Sequence, residues 1–209
     1  MVKRPSKPLL NSQETPVRGK LRRRRDPAQP SLPFDPIPDR MEPCLALLKH
    51  KPPIGDNWAF EVKWDGYRVA VHLDHSKVRI ITRDGRDWTD RFPAIADAAR
   101  KLGVGMAILD GEAVVLDEQG RSDFGALQQS LGGRGGKKKS DASILMAFDL
   151  MYFDGHSLLN TELSVRRHLL EGIIPSGSKG TIRLADGAAL LAAACAHGQA
   201  DDGLTAFAV

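Results

Sequence analysis

Apolar and polar residues alternate along the chain on both sides of Gly66. The alternation covers residues 60–65 before the glycine and residues 67–73 after it. A period of two is typical of half-buried β-strands, and a glycine between two such runs supplies a turn. The pattern therefore predicts a hairpin, with Arg68 close to the first strand across the turn. The charged side chains predicted to project from one face of that strand are Glu61, Lys63 and Asp65.

Periodicity in the rest of the chain predicts a mixture of strands and helices. Alternation or a short apolar run predicts strands over residues 78–83, 107–116, 144–152 and 181–184, and residues 204–209 are apolar enough for another. Helical spacing predicts helices over residues 91–102, after Ser122 as N-cap, over 163–174 with Arg166 and Arg167 exposed, and over 188–197.

Composition is that of a soluble globular protein. Hydrophobic residues make up 42% and charged residues 27% of the 209 residues, which is enough for one domain with a sizeable core. No apolar run approaches the roughly 20 residues that a membrane helix needs, and no secretory apolar segment follows the basic start. Cys44 and Cys195 fit neither a disulfide framework nor a zinc cluster. We therefore expect a reducing, cytoplasmic setting without membrane attachment.

The positive charge is concentrated at the start of the chain. Residues 1–25 hold nine Lys/Arg and one Glu, a net charge of +8, whereas the whole chain carries only +4. Residues 1–40 are rich in Pro, Arg and polar residues and lack an apolar period, so they are interpreted as a disordered or extended tail. Such a tail suits salt-dependent contact with nucleic-acid phosphates. It could equally be a solubilising extension.

Two carboxylates lie inside the apolar run over residues 107–116. Asp110 and Glu112 are two residues apart, so in a strand they face the same side. Burying carboxylates among aliphatic residues is unfavourable unless they bind something, such as a metal, a ribose or an arginine. One alternative is a buried ion pair with Arg68 or Arg83.

Four short blocks, in this order, resemble the covalent nucleotidyltransferases, which comprise ATP-dependent DNA ligases, RNA ligases and mRNA capping enzymes. The first matches the signature K-x-D-G-x-R. The blocks are Lys63-Trp64-Asp65-Gly66-Tyr67-Arg68, Thr82-Arg83-Asp84-Gly85, Leu109-Asp110-Gly111-Glu112 and Phe148-Asp149. The resemblance runs from about residue 41 to 174 and is closest to the ligase domain of bacterial end-joining ligases, the DNA ligase D subfamily. It implies an α+β, ATP-grasp-like adenylation domain, with antiparallel sheets, flanking helices and the nucleotide between the sheets.

The resemblance also implies the chemistry. Lys63 would attack the α-phosphate of ATP, expel pyrophosphate and hold AMP through a phosphoramidate bond, with Asp65 orienting the lysine. A free lysine has a pKa of roughly 10.4, so nearby cations or a metal must favour the neutral amine. The implied catalytic residues are Lys63, Asp65 and Arg68.

The implied nucleotide-binding groups surround that lysine. Glu61 would contact the edge of adenine, Phe148 would stack on its ring, and Arg68 and Arg83 would contact ribose or phosphate. Glu112 would bind Mg²⁺ or Mn²⁺, or the ribose, and Asp110 is a second metal-ligand candidate. AMP would then pass to a 5′-phosphate at a DNA break, and a 3′-hydroxyl would displace it. The implied partners are nicked or broken DNA near the bacterial nucleoid and an end-binding Ku-type protein.

The end of the chain departs from the family pattern. The family continues with E-G-[VIL]-[VI]-x-K, a K-x-K block and an OB-fold domain, whereas residues 202–207 read Asp-Gly-Leu-Thr-Ala-Phe. Phe207 stands where a lysine is expected. We therefore expect residues 41–209 to be an adenylation domain that is C-terminally truncated and lacks the OB fold.

Two other functions remain open at this stage. The first is an impaired ligase remnant that binds DNA or a repair partner through its basic tail. The second is an RNA ligase or a capping-type enzyme that uses the same lysine chemistry.

Overall fold

The computed structural model describes residues 35–44, 58–133, 136–185 and 204–208. Residues 58–60 and 204–208 are described as strand backbone. Most of the predicted tail and the predicted helix over residues 188–197 lie outside the described residues. The elements in chain order are β1 Trp58–Val62, β2 Tyr67–Asp74, β3 Lys77–Thr82, α1 Pro93–Ala99, β4 Met106–Val114, α2 Phe124–Ser130, β5 Ile144–Phe153, β6 His156–Ser157, α3 Leu163–Ile173, β7 Ile182–Leu184 and β8 Leu204–Ala208.

The described strands form two sheets. The larger has six strands in the order β3-β2-β4-β5-β6, with β7 also paired to β5, and the smaller consists of β1 and β8. The pairs are antiparallel except β5 with β7, which run parallel. The predicted α+β class with antiparallel sheets and helices is confirmed, and the parallel pair is the exception to the predicted sheet type.

The predicted hairpin around Gly66 is wrong. β1 pairs with β8, in a register that sets Trp58 opposite Ala208 and Val62 opposite Leu204. β2 pairs with β3 on one edge and with β4 on the other. Because both edges of β2 are occupied, β1 cannot join it, and the chain passes from the small sheet to the large one over residues 63–66. The alternation before Gly66 thus runs past the end of β1, so Lys63 and Asp65 lie beyond that strand, and the alternation after Gly66 belongs to β2 in the other sheet.

The main core lies on one face of the six-stranded sheet. Val71 of β2, Leu109 of β4 and Ile95 of α1 are fully buried there, together with Phe92 before α1. Each such side chain contributes on the order of 1.5–3 kcal/mol when it leaves water. Pro93 begins α1, where its fixed φ suits a helix and its missing N–H is not needed.

The opposite face of the sheet carries the polar groups and a smaller apolar cluster. Met41 and Ile37 pack there against Ile108. The N–H of Asp35 donates to the Gly155 carbonyl at 2.7 Å. Residues 35–40, at the end of the predicted tail, thus form neither helix nor strand, and Ile37 packs on the sheet. The domain boundary at residue 40 stays a prediction.

The cap of α2 differs from the predicted one. Asp123, not Ser122, is the N-cap, and its carboxylate accepts from the Ala126 N–H at 2.8 Å. Ser122 instead accepts from the backbone N–H of Asp65 at 3.1 Å. The two residues are adjacent and both suit an N-cap, so composition alone does not distinguish them. None of the described helices has the length and apolar character needed to cross a bilayer.

Candidate active site

The segment that carries Lys63 is fixed by contacts of the two residues that follow the lysine. Trp64 packs against an apolar cluster formed by Val114, Met146 and their neighbours, and the Asp65 N–H donates to Ser122. The Lys63 side chain is itself exposed. Its backbone is therefore held in place while its amine remains accessible to a reactant.

Gly66 lets this segment lie directly on β4. A Cβ atom at Gly66 would come within 2.2 Å of the Ala113 carbonyl oxygen and 2.8 Å of Val114 Cγ1. Real Cβ contacts are longer than these, so any larger residue would push the segment off β4. The glycine of the K-x-D-G-x-R block is thus required by a close approach of two backbones.

Replacing Gly66 by alanine will displace the Lys63 segment and destabilise the fold by about 1–3 kcal/mol, the usual effect of overpacking. Urea denaturation measures the change in the free energy of unfolding. Gly105→Ala is the matched control, because a Cβ there meets nothing within 4 Å. Equal unfolding free energies for the two variants would contradict the close approach.

Arg68 is held on the polar face by Asp110. Its Nη2 donates to Asp110 Oδ2 at 2.7 Å and its Nε donates to Oδ1 at 3.2 Å. Nη2 also donates to the Cys44 carbonyl at 2.8 Å. The Asp110 side chain is 1% exposed and that of Arg68 is 21% exposed. The ion pair left open by the sequence is thus present, and it orients the arginine through a bidentate contact.

A β-bulge places Phe148 beside this pair. β5 pairs Asp149 with Asp110 and Ala147 with Gly111, so Phe148 is an extra residue between two consecutive positions of β4. A bulge of this kind redirects a side chain. The Arg68 guanidinium carbon lies 5.1 Å from the centre of the Phe148 ring, within the range of a cation–π contact. The ring is partly exposed and can still accept a stacking partner.

Glu112 lies directly opposite Arg68 in the β2–β4 register. Burial raises the pKa of its carboxyl, the charges of Arg68 and Lys63 lower it and those of Asp110 and Asp65 raise it, and together they set this pKa at about 7. The carboxylate forms no hydrogen bond or ion pair with another described residue. It is therefore a partly buried acidic group that is available to a ligand.

Arg83 and Asp65 are exposed at the rim of this region. Arg83 follows β3, and its backbone N–H donates to the Arg68 carbonyl at 3.3 Å, while 65% of its side chain is exposed. Asp65 is exposed next to Lys63. Within the described residues, Lys63 forms no ion pair, so the orienting role of Asp65 stays a prediction.

Glu61 is paired with an arginine that the sequence did not assign to the site. Arg167 Nη1 donates to Glu61 Oε1 at 2.6 Å and to the Phe148 carbonyl at 3.2 Å, and Nη2 donates to the Ala185 carbonyl. The two side chains of the ion pair are 19% and 18% exposed. Arg167 thus joins the end of β1 to the β5 bulge and to the residue after β7.

The predicted exposure of Arg166 and Arg167 is wrong. Arg166 donates to Asp149 at 2.8 and 3.0 Å, and the two side chains are 13% and 11% exposed. The inward stripe of α3 contains residues 163, 166, 167 and 170, which is the spacing i, i+3, i+4, i+7 of a buried helix face. This spacing is visible in the sequence, and partly buried Glu61 and buried Asp149 supply the partners that let arginines occupy it.

The carboxylates at the site do not form a closed metal cage. Within the described ranges, no group of three or more His, Cys, Asp or Glu side chains is placed to hold a metal ion. Both oxygens of Asp110 accept from Arg68. Mg²⁺ commonly binds one or two carboxylates together with waters and substrate phosphates. Glu112 fits that type of site, and the role of Asp110 as a ligand stays a prediction.

Comparison with known sequences finds ligases. A family model described as an ATP dependent DNA ligase domain matches residues 43–190. The multifunctional non-homologous end joining protein LigD of Pseudomonas aeruginosa is 40% identical over 169 residues, which is 78% of this chain and 19% of that protein. The LigD protein of Mycobacterium tuberculosis is 39% identical over 171 residues, 80% of this chain and 21% of its own. The chain thus spans about a fifth of these relatives.

Comparison with solved structures also finds DNA ligases. A mycobacterial DNA ligase D complexed with ATP and MES matches with a TM-score of 0.63 and 35% identity, over 81% of this chain and 55% of that one. The ligase domain of M. tuberculosis LigD matches with a TM-score of 0.56 and 36% identity, over 72% of this chain and 48% of its own.

Proposed function

Because the chain belongs to the ATP-dependent DNA ligase family, we propose that it carries the lysine adenylation step of a DNA ligase that seals breaks in end joining. The observation that supports this most directly is the fixed Lys63 segment. An accessible amine lies on a backbone held by Trp64 and Asp65, and its charge interacts with Glu112. Arg68 and Phe148 lie with Glu112 on one sheet. The relatives named for end joining and the neighbour complexed with ATP agree with this proposal.

The proposed reaction is a nucleotidyl transfer. The Lys63 amine loses a proton and attacks the α-phosphorus of ATP, forming a P–N bond while the bond from that phosphorus to the bridging oxygen breaks. Pyrophosphate leaves with the bonding electrons, and AMP stays on the lysine. A DNA 5′-phosphate then takes the AMP, and attack by a 3′-hydroxyl releases AMP and closes the strand.

The other site residues have distinct proposed roles. Arg68, already oriented by Asp110, and Arg83 contact the ribose or phosphates. Phe148 offers its ring to the base, and Glu61 accepts a hydrogen bond from the edge of adenine. Asp65 orients the lysine.

A divalent cation is part of the proposal. Mg²⁺ or Mn²⁺ held by Glu112 would offset the negative charge that the phosphates carry as pyrophosphate leaves. Asp110 remains a second candidate ligand. DNA with nicks or ends is the proposed substrate, a Ku-type end-binding protein the proposed partner, and the nucleoid the proposed place of action.

Labelling by ATP tests the proposal. Incubation with α-labelled ATP and Mg²⁺ or Mn²⁺ should give a labelled protein with release of pyrophosphate, whereas γ-labelled ATP should leave the protein unlabelled. GTP in the same assay distinguishes a capping-type enzyme, which it would label better than ATP. No label from ATP with either metal would overturn the proposed activity.

A further inference from the structure

The contacts of Arg167 link three parts of the site at one guanidinium group. Glu61 lies at the end of β1, the Phe148 carbonyl lies in the β5 bulge, and Ala185 follows β7. These positions belong to both sheets. One planar group with fixed donors therefore sets the position of the Glu61 carboxylate relative to the Phe148 ring.

The charge on Glu61 depends on the same contact. Burial raises the pKa of Glu61, the charge of Arg167 lowers it and the charge of Asp149 raises it, and together they set this pKa at about 7. Arg166 is bound to Asp149, and Glu171 lies 3.7 Å from Arg167 Nε. Removing Arg167 leaves burial and Asp149 unopposed, so Glu61 would be protonated at neutral pH.

The protonation state decides which purine Glu61 can bind. An ionised carboxylate only accepts hydrogen bonds, whereas a protonated one can also donate. Adenine presents an amino donor at C6, and guanine or hypoxanthine presents a carbonyl acceptor there. Only the ionised form is selective, because it accepts from the amine and repels the carbonyl oxygen.

We propose that Arg167 is a positioning residue that favours the ionised, hydrogen-bond-accepting form of Glu61 and thereby favours 6-amino over 6-oxo purine nucleotides. This inference rests on the proposed function only in placing the base beside Glu61 and Phe148. It assigns the choice of nucleotide to a contact between α3 and β1 that touches neither the lysine nor the phosphates.

Equilibrium binding of ATP and ITP tests this assignment, because ITP replaces the 6-amino group of ATP by a 6-oxo group and keeps the ribose and phosphates. Calorimetry from pH 6 to 8.5 gives the affinities for both nucleotides. Their ATP-to-ITP ratio cancels pH effects that act on both nucleotides alike. In the wild type the ratio should rise with pH as Glu61 ionises near pH 7.

Arg167→Gln should lower the ratio at pH 7.5 by about 10- to 100-fold, the range expected for a hydrogen bond to a charged group. It should also move the midpoint of the pH profile to higher pH. Arg167→Lys keeps the positive charge and should restore most of the ratio. Glu61→Gln removes the titrating group, so the ATP-to-ITP ratio of this variant should be near one and independent of pH. Glu61→Gln and Arg167→Lys keep the test valid if Arg167→Gln does not fold.

The double variant Asp149→Asn/Arg166→Gln is the matched control. It removes an ion pair of similar burial from the same helix without leaving an unpaired carboxylate near Glu61. Its ATP-to-ITP ratio at pH 7.5 should stay within about threefold of the wild type, because loss of the Asp149 charge favours the ionised form of Glu61 that already predominates at that pH. An equal loss of the ratio in this variant would show a general structural effect and would overturn the assignment.

The affinity ratios and the labelling experiment can fail independently, so they test this inference and the proposed function separately. An unchanged ratio in Arg167→Gln and Glu61→Gln overturns the role of Arg167, even if Lys63 is labelled by ATP. The predicted ratios without labelling support the role of Arg167 and overturn the adenylation. Failure of the wild type to bind ATP overturns both.

Discussion

Lys63→Arg will abolish covalent labelling of the protein by α-labelled ATP. Arginine keeps the positive charge and much of the length of lysine, but its guanidinium group does not lose a proton in proteins, so it supplies no nucleophile. Loss of a covalent nucleophile lowers the rate by at least about 10³-fold. The label on the protein should therefore fall below detection.

Two further measurements make the Lys63 result specific. Lys101→Arg, which changes an exposed lysine beyond α1, should be labelled as well as the wild type. Mass spectrometry of the labelled wild type should place the AMP on the peptide that contains Lys63. Retention of label in Lys63→Arg would assign the covalent chemistry to another residue.

Asp110→Ala will destabilise the protein more than loss of a surface charge does. Removing one partner of a buried ion pair leaves the other without compensation and typically costs about 3–5 kcal/mol. Because 21% of the Arg68 side chain is exposed, water can partly solvate the freed guanidinium, and the lower end of that range is expected. The midpoint of urea denaturation should shift accordingly, and ATP should bind more weakly because Arg68 is no longer oriented.

Asp97→Ala is the control for this comparison. Asp97 also pairs with an arginine, Arg100, but 67% and 42% of the two side chains are exposed. Surface pairs of this kind contribute at most about 1 kcal/mol. Equal losses of unfolding free energy in the two variants would show that the bidentate contact of Arg68 does not stabilise the fold.

Much of the candidate site could be predicted from the sequence because its parts are local. Lys63, Arg68 and Gly66 occupy one short block, and the spacing of Asp110 and Glu112 alone sets them on one face of β4. The Asp110–Arg68 pair is one of the alternatives that the sequence offers for the buried carboxylates. Their chemistry follows from residue type and short spacing, and these are properties that a sequence displays directly.

The parts that could not be predicted depend on contacts between distant segments. The partner of β1 is set by which sheet edges are free, and this is known only once β3 and β4 flank β2. The pattern of hydrophobic and polar residues does not predict a bulge such as that at Phe148. Arg167 looked like a solvent-exposed residue because a charged side chain on a helix usually is one.

The pairing of β1 with β8 has a consequence for the order of folding. Trp58 and Ala208 are about 150 residues apart in sequence, so closing that loop costs far more chain entropy than pairing β2 with β3. Sheets built from local contacts form first, and pairings between distant segments follow. We therefore expect the six-stranded sheet to form early and the end of β1, which leads directly into Lys63, to be fixed last. During synthesis the lysine would acquire its final surroundings only after residues 204–208 have left the ribosome.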